Sequence, residues 1–423
     1  MTHTSQADSS GPAPAERTEV LVVGAGPAGS AAAAYAARAG YDVTLLDMAV
    51  FPRDKTCGDG LTPRAVTEMA TLGMGDYLAG RPQIVGLHLH GWGADQRVPW
   101  PGGRFADTGS AVARLELDDA IRDFAVAAGA RMVTGAKAVD VEWDGDRVAA
   151  VVVEEAGVRR AIGATTVIVA DGVRSGLGKV LGREWHRDTA YGVAGRAYVS
   201  SARSDDPWMG SHLELRGADG SLLPGYGWVF PLGGGMLNVG VGALATAKRP
   251  AHVELRPTLH HYTDMVRDEW QISDEPQRVA SALLPMGGAV SGVAGRNWML
   301  IGDAAACVNP LNGEGIDYGL ETARLAVELI SDGVDDFTDR WPDLLTEHYG
   351  LAFSAARRLA AVLTVPKAVP VLGRPGLRSA RLMSMVVRVM GNLITDEDSD
   401  LVARAWRTVG RMSVRVDERP PFR

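Results

Sequence analysis

The sequence predicts an α/β chain: a Rossmann-like nucleotide domain on parallel strands, interrupted by an inserted antiparallel sheet and followed by a helical C-terminal region. Three patterns predict it. EVLVVG at residues 19–24 is a short apolar run that meets a glycine-rich turn, an alanine-rich helical stretch to Gly40 and a second apolar run, YDVTLLD at 41–47. That is a β-α-β opening. Short alternating segments such as GLHLHGW, YGVAGRAYVS and SHLELR occupy about residues 82–108 and 186–284, and helical periodicity dominates from Glu314 onward. The expected division is a loose tail over 1–18, a discontinuous nucleotide domain over 19–81, 109–185 and 285–330, a substrate domain over 82–108 and 186–284, and a helical region over 331–423.

Composition narrows the functions. With 423 residues, 46% of them hydrophobic, the chain exceeds one compact core. Its 43 basic residues against 51 acidic leave a net charge of −8, which argues against a nucleic-acid partner. Cys57 and Cys307 are too few for a disulfide framework, pointing to a reducing, cytoplasmic setting. His88 and His90 share a face of a strand, but no third ligand is evident, so no metal site is expected. The uncharged run 220–247 holds eight Gly and two Pro, which suits two strands turning at Gly233 to Gly235 and not a spanning helix. Residues 351–392 carry seven basic groups, Arg357, Arg358, Lys367, Arg374, Arg378, Arg381 and Arg388, and no acidic one. The stretch from Arg374 to Leu393 reads as an amphipathic helix that either presents a solvated basic face or touches a membrane surface.

GAGPAG at Gly24 to Gly29 sits between a strand and a helix. Gly24 permits the tight turn, Gly26 lets the backbone approach a pyrophosphate, and Gly29 allows close packing of helix on strand. Ala25, Pro27 and Ala28 complete the loop, and Asp47, at the end of the second strand, can accept from ribose hydroxyls. Two later segments favour FAD over NAD. VIVADGVRS carries Asp171 at a strand end, and WMLIGDAAACVNPLNGEGI carries Gly302 and Asp303 before a helix that begins near Gly315 and Ile316. Such a helix N-terminus would stabilise an anionic reduced flavin.

These three segments together resemble the flavoproteins typified by aromatic hydroxylases. DKTCGDG (Cys57, Gly58, Asp59, Gly60) and YGWVFP (Tyr226 to Pro231), followed by Gly240-Val241-Gly242, narrow the likeness to the geranylgeranyl reductase family. Within it the chain is most similar to the actinobacterial members that saturate the β-isoprene unit of the menaquinone tail, from about Glu19 to the C-terminal RPPF. The resemblance implies an FAD cofactor, a polyprenyl lipid substrate, and electrons from NAD(P)H or a reduced carrier. It also implies that Cys57 to Gly60 lie against the isoalloxazine, that Arg114 meets the FAD, that Asp303 binds the ribitol and pyrophosphate region, and that Gly315 and Ile316 meet the ring. The enzyme would then work at the cytoplasmic face of the membrane as a peripheral protein.

Tyr226, Trp228 and Phe230 alternate along a strand and so share one face, which can wall a prenyl tunnel and shelter positive charge through its π-electrons. Equally, three aromatics can simply pack a sheet. Cys57 is a candidate proton donor or flavin gate, with Tyr226 and Trp228 as the other candidate catalytic residues; the plainer reading is that Cys57 is small enough to fit beside the ring. The rivals are a geranylgeranyl diphosphate or archaeal-type lipid reductase, a flavin hydroxylase or halogenase, and a non-catalytic prenyl-lipid binder. Halogenases carry WxWxIP, which Trp228 and Pro231 match and Tyr226 and Phe230 do not.

Overall fold

The computed structural model describes residues 16–251, 253–365 and 368–423. The chain opens with β1 (Glu16–Val23), α1 (Pro27–Arg38) and β2 (Val43–Asp47). Glu16, Arg17 and Thr18 already pair in the sheet, opposite Ile162, Gly163 and Ala164, so the strand begins inside the expected tail. The rest of that tail, residues 1–15, lies outside the described residues. Val20, Leu21, Val22, Leu45 and Leu46 are all buried, as strands covered on both faces require. In α1, Ala31 to Ala34 are fully buried, and their small side chains let the helix sit close on the sheet. Pro27 opens it where a missing N–H costs nothing.

After α2 (Pro63–Leu72) the chain crosses to a second sheet for the hairpin β3 (Gly86–Gly91) and β4 (Ala94–Pro99). It returns as α3 (Arg114–Ala127), β5 (Arg131–Thr134), β6 (Ala136–Asp144), β7 (Arg147–Glu155) and β8 (Val158–Val169). The second sheet is completed by β9 (Tyr191–Ser200), β10 (Trp208–His212), β11 (Gly225–Gly233), β12 (Met236–Ala245), α4 (Leu255–Val266) and β13 (Gln277–Pro285). Then β14 (Trp298–Leu300) re-enters the first sheet and leads into α5 (Ile316–Ser331), α6 (Arg340–Leu363), α7 (Ala368–Leu377), α8 (Ala380–Met390) and α9 (Leu401–Arg415).

The first sheet runs β14-β8-β1-β2-β5, all parallel, with β6 and β7 attached to β8 as an antiparallel hairpin. The second runs β13-β9-β12-β11-β10-β3-β4. It is antiparallel except where β10 meets β3, two strands that arrive from separate segments of the chain and pair in parallel. The glycine-rich 220–247 run is the β11–β12 hairpin; Gly233, Gly234 and Gly235 have φ of 75°, 59° and 86°, values that glycine adopts without a Cβ penalty.

The basic C-terminal stretch departs from the single helix expected. It is two helices, because Ser379 interrupts the run: its side chain accepts from Leu382 N and caps α8, while Pro375 lies inside α7 without an N–H to give. Arg388 is also no part of a free basic face, since it pairs with Asp398 at 3.4 Å and Asp400 at 3.0 Å. Arg374, Arg378 and Arg381 are exposed, and Lys367 lies outside the described residues. Among the described residues no helix is long and apolar enough to cross a membrane.

Candidate active site

Two uncapped helix N-termini face one cavity of about 1690 Å³ between the sheets. Gly26 precedes α1 and Gly315 precedes α5, and neither supplies a capping side chain, so the first-turn N–H groups of both helices are available to an anionic ligand. Gly26, Pro27, Ala28, Gly315 and Ile316 all line the cavity. Its volume exceeds the roughly 300–1,000 Å³ of an ordinary ligand pocket. A dinucleotide and a second ligand therefore fit together.

The glycines around α1 are dictated by contact. A Cβ at Gly24 would sit 2.3 Å from Ala170 O, and one at Gly29 would sit 1.7 Å from Gly24 O. Gly24 also has φ 104°. The backbone of the loop is thus pressed against Ala170, just past β8, and against the start of α1, with Gly24 N donating to Leu46 O. Gly24, Ala25, Gly29, Asp47 and Gly302 stand behind the cavity wall. Asp47 ties the loop to β2, its Oδ2 accepting from Ala25 N at 2.7 Å and its Oδ1 from Ala49 N at 2.8 Å.

The Cys57 to Gly60 loop forms the floor next to the cradle. Asp59 has φ 64°, a left-handed conformation that Asp tolerates better than most residues. Its carboxylate is fully buried and answered by three donors: Tyr198 Oη at 2.8 Å, Asn238 Nδ2 at 2.8 Å and Arg114 N at 3.3 Å. Burial still pushes the Asp59 carboxyl up to about 6. Cys57 Sγ accepts from Asp59 N at 3.3 Å, and burial raises its thiol above the ordinary value, so it stays protonated at neutral pH. Arg114 is buried and held by Asp118, which also meets Arg53 at 3.0 Å. Together these place two guanidinium groups beside Gly26, where a phosphate would lie.

Above the loop, Tyr226, Trp228 and Phe230 line the cavity side by side, with ring centroids 5.9 Å and 6.2 Å apart. Trp228 Nε1 donates to Asn238 Oδ1 at 2.9 Å, and Asn238 in turn donates to Cys57 O and Asp59, which couples the aromatic strand to the loop. Gly58 and Gly60 are required beneath these rings: a Cβ at Gly60 would fall 2.9 Å from Phe230. Beyond the aromatics the cavity continues between Leu87, Leu89 and Trp92 of the β3–β4 hairpin region and Val371, Leu382 and Met385 of α7 and α8.

Several site groups were not foreseen from the sequence. Lys55 pairs with Asp303 at 3.2 Å on the cavity wall. Glu314 lines the wall, its Oε1 accepting from Thr62 Oγ1 at 2.6 Å and Thr62 N at 3.3 Å, and burial pushes its carboxyl up to about 7. Lys55 sits inside the DKTCGDG segment, which by itself assigns it no role, and Asn238 and Tyr198 lie outside the site motifs; for these two only the register of β11 on β12, which sets Phe230 opposite Asn238, would have pointed to one.

Two expectations need correction. Asp171 does not face the cavity: its oxygens accept from Ser175 Oγ at 2.6 Å and Leu177 N at 2.9 Å, bracing the turn after β8, and its neighbours Ala170 and Gly172 form the wall instead. His88 and His90, for which no third group was evident, both reach Asp95 Oδ2, at 2.8 Å and 3.2 Å, because Asp95 stands across the hairpin from His90. His212 and Glu269 adjoin them. This network lies on the side of the sheet away from the cavity.

Residues 17–331 match the family described as FAD binding domain. The cradle, the two helix N-termini and the cavity volume agree with that cofactor. The chain is 61% identical to the menaquinone reductase of Mycolicibacterium smegmatis over 96% of this chain and 99% of that one. It is 31% identical to digeranylgeranylglycerophospholipid reductase 1 of Methanopyrus kandleri, over 82% of this chain and 90% of that one. A geranylgeranyl bacteriochlorophyll reductase-like structure from Thermoplasma acidophilum superposes with a TM-score of 0.74 at 20% identity, covering 93% of this chain and 99% of the other. The chain belongs to the FAD binding domain family and, within it, to the geranylgeranyl reductase group of flavin-dependent oxidoreductases.

Proposed function

We propose that the protein is an FAD-dependent reductase that saturates an isoprenoid double bond, and that its substrate is the β-isoprene unit of the menaquinone side chain. The observation that carries this reading is the continuity of the cavity: it runs from the nucleotide cradle past Cys57, under Tyr226, Trp228 and Phe230, and out between apolar residues of α7 and α8. Only a long apolar ligand makes use of such a passage. Bound FAD, in its reduced form, supplies the hydride.

The chain's own residues supply the rest. Gly26 to Ala28, with Arg53 and Arg114 beside them, would hold the pyrophosphate; Asp303, paired with Lys55, would meet the ribitol; Gly315 and Ile316 would meet the flavin ring. An isolated trisubstituted alkene has no carbonyl to activate it, so the wall must position the chain and shelter cationic character. Trp228 and Tyr226 present π-faces for that task. Cys57, which lines the cavity with its thiol kept protonated by burial, would fill the space beside the ring. Electrons arrive from NAD(P)H or a reduced carrier.

The protein docks peripherally on the cytoplasmic face of the membrane through α7 and α8. Val371 is 72% exposed and lines the cavity, as do the exposed Leu382 and Met385, and Arg374, Arg378 and Arg381 of the same segment are exposed. Exposed apolar side chains beside the cavity, on a segment that also exposes cations, suit an anionic lipid surface from which a prenyl tail can enter.

Mass spectrometry of cellular quinones with and without the gene product tests the assignment. A two-hydrogen gain in the tail that depends on the protein supports it; identical quinones in both contradict it.

A further inference from the structure

The back of the second sheet, on the side away from the cavity, gathers three imidazoles and two carboxylates. His88 and His90 leave β3 on that face, two residues apart, while Leu87 and Leu89 line the cavity on the other. β4 brings Asp95 across the hairpin opposite His90, and β10 brings His212 opposite His90 on its other flank. Glu269, in the turn after α4, completes the group. Their contacts are one proton short. His90 Nδ1 lies 3.2 Å from Asp95 Oδ2 and its Nε2 3.5 Å from Glu269 Oε1, so each ring nitrogen faces a carboxylate. At neutral pH an imidazole ordinarily carries one proton, and packing against two other rings, at 4.0 Å and 4.5 Å between centroids, favours that neutral form. One ring nitrogen therefore turns a lone pair toward an anionic oxygen, a repulsion that a cation between them removes. Among the described residues, the ion-pair partners of the Asp95 and Glu269 side chains are these imidazoles alone, so no Lys or Arg relieves either carboxylate.

We propose that His88, His90 and Asp95 form a binding site for a divalent transition-metal ion of the zinc class, with Glu269 behind His90 as its outer carboxylate. In this arrangement the His90 proton sits on Nε2, toward Glu269 Oε1, which frees the Nδ1 lone pair for the ion. Glu269 is itself placed by His212, whose Nε2 is 3.9 Å from Oε2 and whose Nδ1 is fixed by Tyr262 Oη at 2.7 Å. Asp95 Oδ2 already stands 2.8 Å from His88 Nε2 and 3.2 Å from His90 Nδ1, and one ligand atom from each of the three residues lies within 4.8 Å of the other two. Tetrahedral zinc, about 2.0–2.2 Å from each ligand, spaces its ligand atoms roughly 3.3–3.5 Å apart, so a shift of about half an ångström in the Asp95 side chain admits the ion. That side chain is 63% exposed, while the two rings form the floor beneath it, so the ion reaches them from solvent past the carboxylate. Water takes the remaining position. Two nitrogens and one oxygen select zinc or cobalt over magnesium and calcium, which take oxygen ligands. The ion ties β3 to β4 behind Leu87 and Leu89, and so steadies a hairpin whose other side walls the cavity.

The test uses the full-length, FAD-loaded protein, freed of metal with a chelator, dialysed, and titrated by calorimetry with zinc chloride or magnesium chloride. Zinc should bind at one per chain and magnesium should not. Asp95→Asn and His90→Gln should weaken zinc binding by more than about 100-fold, and Glu269→Gln by about 10–100-fold. All three variants should keep the wild-type FAD content, since none of these side chains lines the cavity. Asp95→Asn changes an exposed side chain, so the test survives even where a variant of the less exposed His90 fails to fold. X-ray absorption at the zinc edge should show two imidazoles and oxygen, without sulfur. Zinc should also slow hydrogen exchange across residues 86–99 in wild type and leave it unchanged in Asp95→Asn. The inference is overturned if zinc does not saturate at one per chain, if Asp95→Asn binds it as wild type does, if the edge shows sulfur, or if exchange over 86–99 ignores the ion. None of these readouts passes through quinone reduction, so the site and the prenyl-reductase reading stand or fall separately.

Discussion

The indole of Trp228 lies across the α-carbon of Gly240, its partner on the neighbouring strand, so closely that a Cβ there would fall 2.0 Å from the ring. This contact explains why the aromatic segment in β11 is accompanied by the Gly-Val-Gly segment in β12. Without the glycine the ring cannot lie flat, reach Asn238 and form the cavity wall. Gly240→Ala should therefore cost about 1–3 kcal/mol of stability through overpacking, and should lower turnover while FAD remains bound. Denaturant unfolding and flavin absorbance check both parts; a variant as stable and active as its parent contradicts them.

The cradle makes a separate demand. With a Cβ only 1.7 Å from Gly24 O, Gly29→Ala must push α1 away from the loop. The purified variant should be colourless or nearly so, as read from its flavin-to-protein absorbance ratio. Gly80→Ala, where a Cβ meets nothing within 4 Å, should retain the full yellow complement.

Asp59 should leave a signature in stability against pH. Its folded carboxyl is raised from 3.8 to about 6, so the folded state holds the proton more tightly than the unfolded chain. The stability this affords is complete below about pH 4 and is lost as pH rises through about 6. A displacement of this size is worth roughly 3 kcal/mol at most. The unfolding free energy of wild type relative to Asp59→Asn should fall by up to that amount between these limits. A flat difference would show that the buried carboxylate is better compensated than its surroundings suggest.

The membrane proposal separates the arginines. Replacing Arg374, Arg378 and Arg381 together with Gln should weaken co-sedimentation with anionic vesicles by roughly two orders of magnitude, at about 1 kcal/mol per charge. Added salt should do the same. Arg388→Gln should have little effect because Asp398 and Asp400 already neutralise that residue. Binding indifferent to the triple change and to salt would remove the electrostatic component.

The parts of the fold and site legible in the sequence are those encoded locally. The β-α-β opening follows from periodicity and glycine placement within thirty residues or so, and the β11–β12 hairpin from three glycines in succession. The FAD cofactor and the prenyl-reductase family came from motifs, and the comparisons agree with both. What escaped were groups joined by long-range contacts: Thr62 meets Glu314 across 252 residues, and Lys55 meets Asp303 across 248. Asp171 misled because a carboxylate after a strand can face a ligand or brace its own turn, and only the turn geometry decides. The break at Ser379 was hidden because helical spacing of arginines and valines survives a cap in their midst, and the partners of Arg388 lie outside the basic stretch.

The most direct measurement is an anaerobic single turnover. Protein carrying reduced FAD is mixed with menaquinone, while flavin absorbance and quinone mass are followed together. The account predicts that the oxidised flavin spectrum returns in step with a two-hydrogen gain in the quinone tail, one per flavin. Flavin that stays reduced until oxygen is admitted, with the tail unchanged, would contradict it.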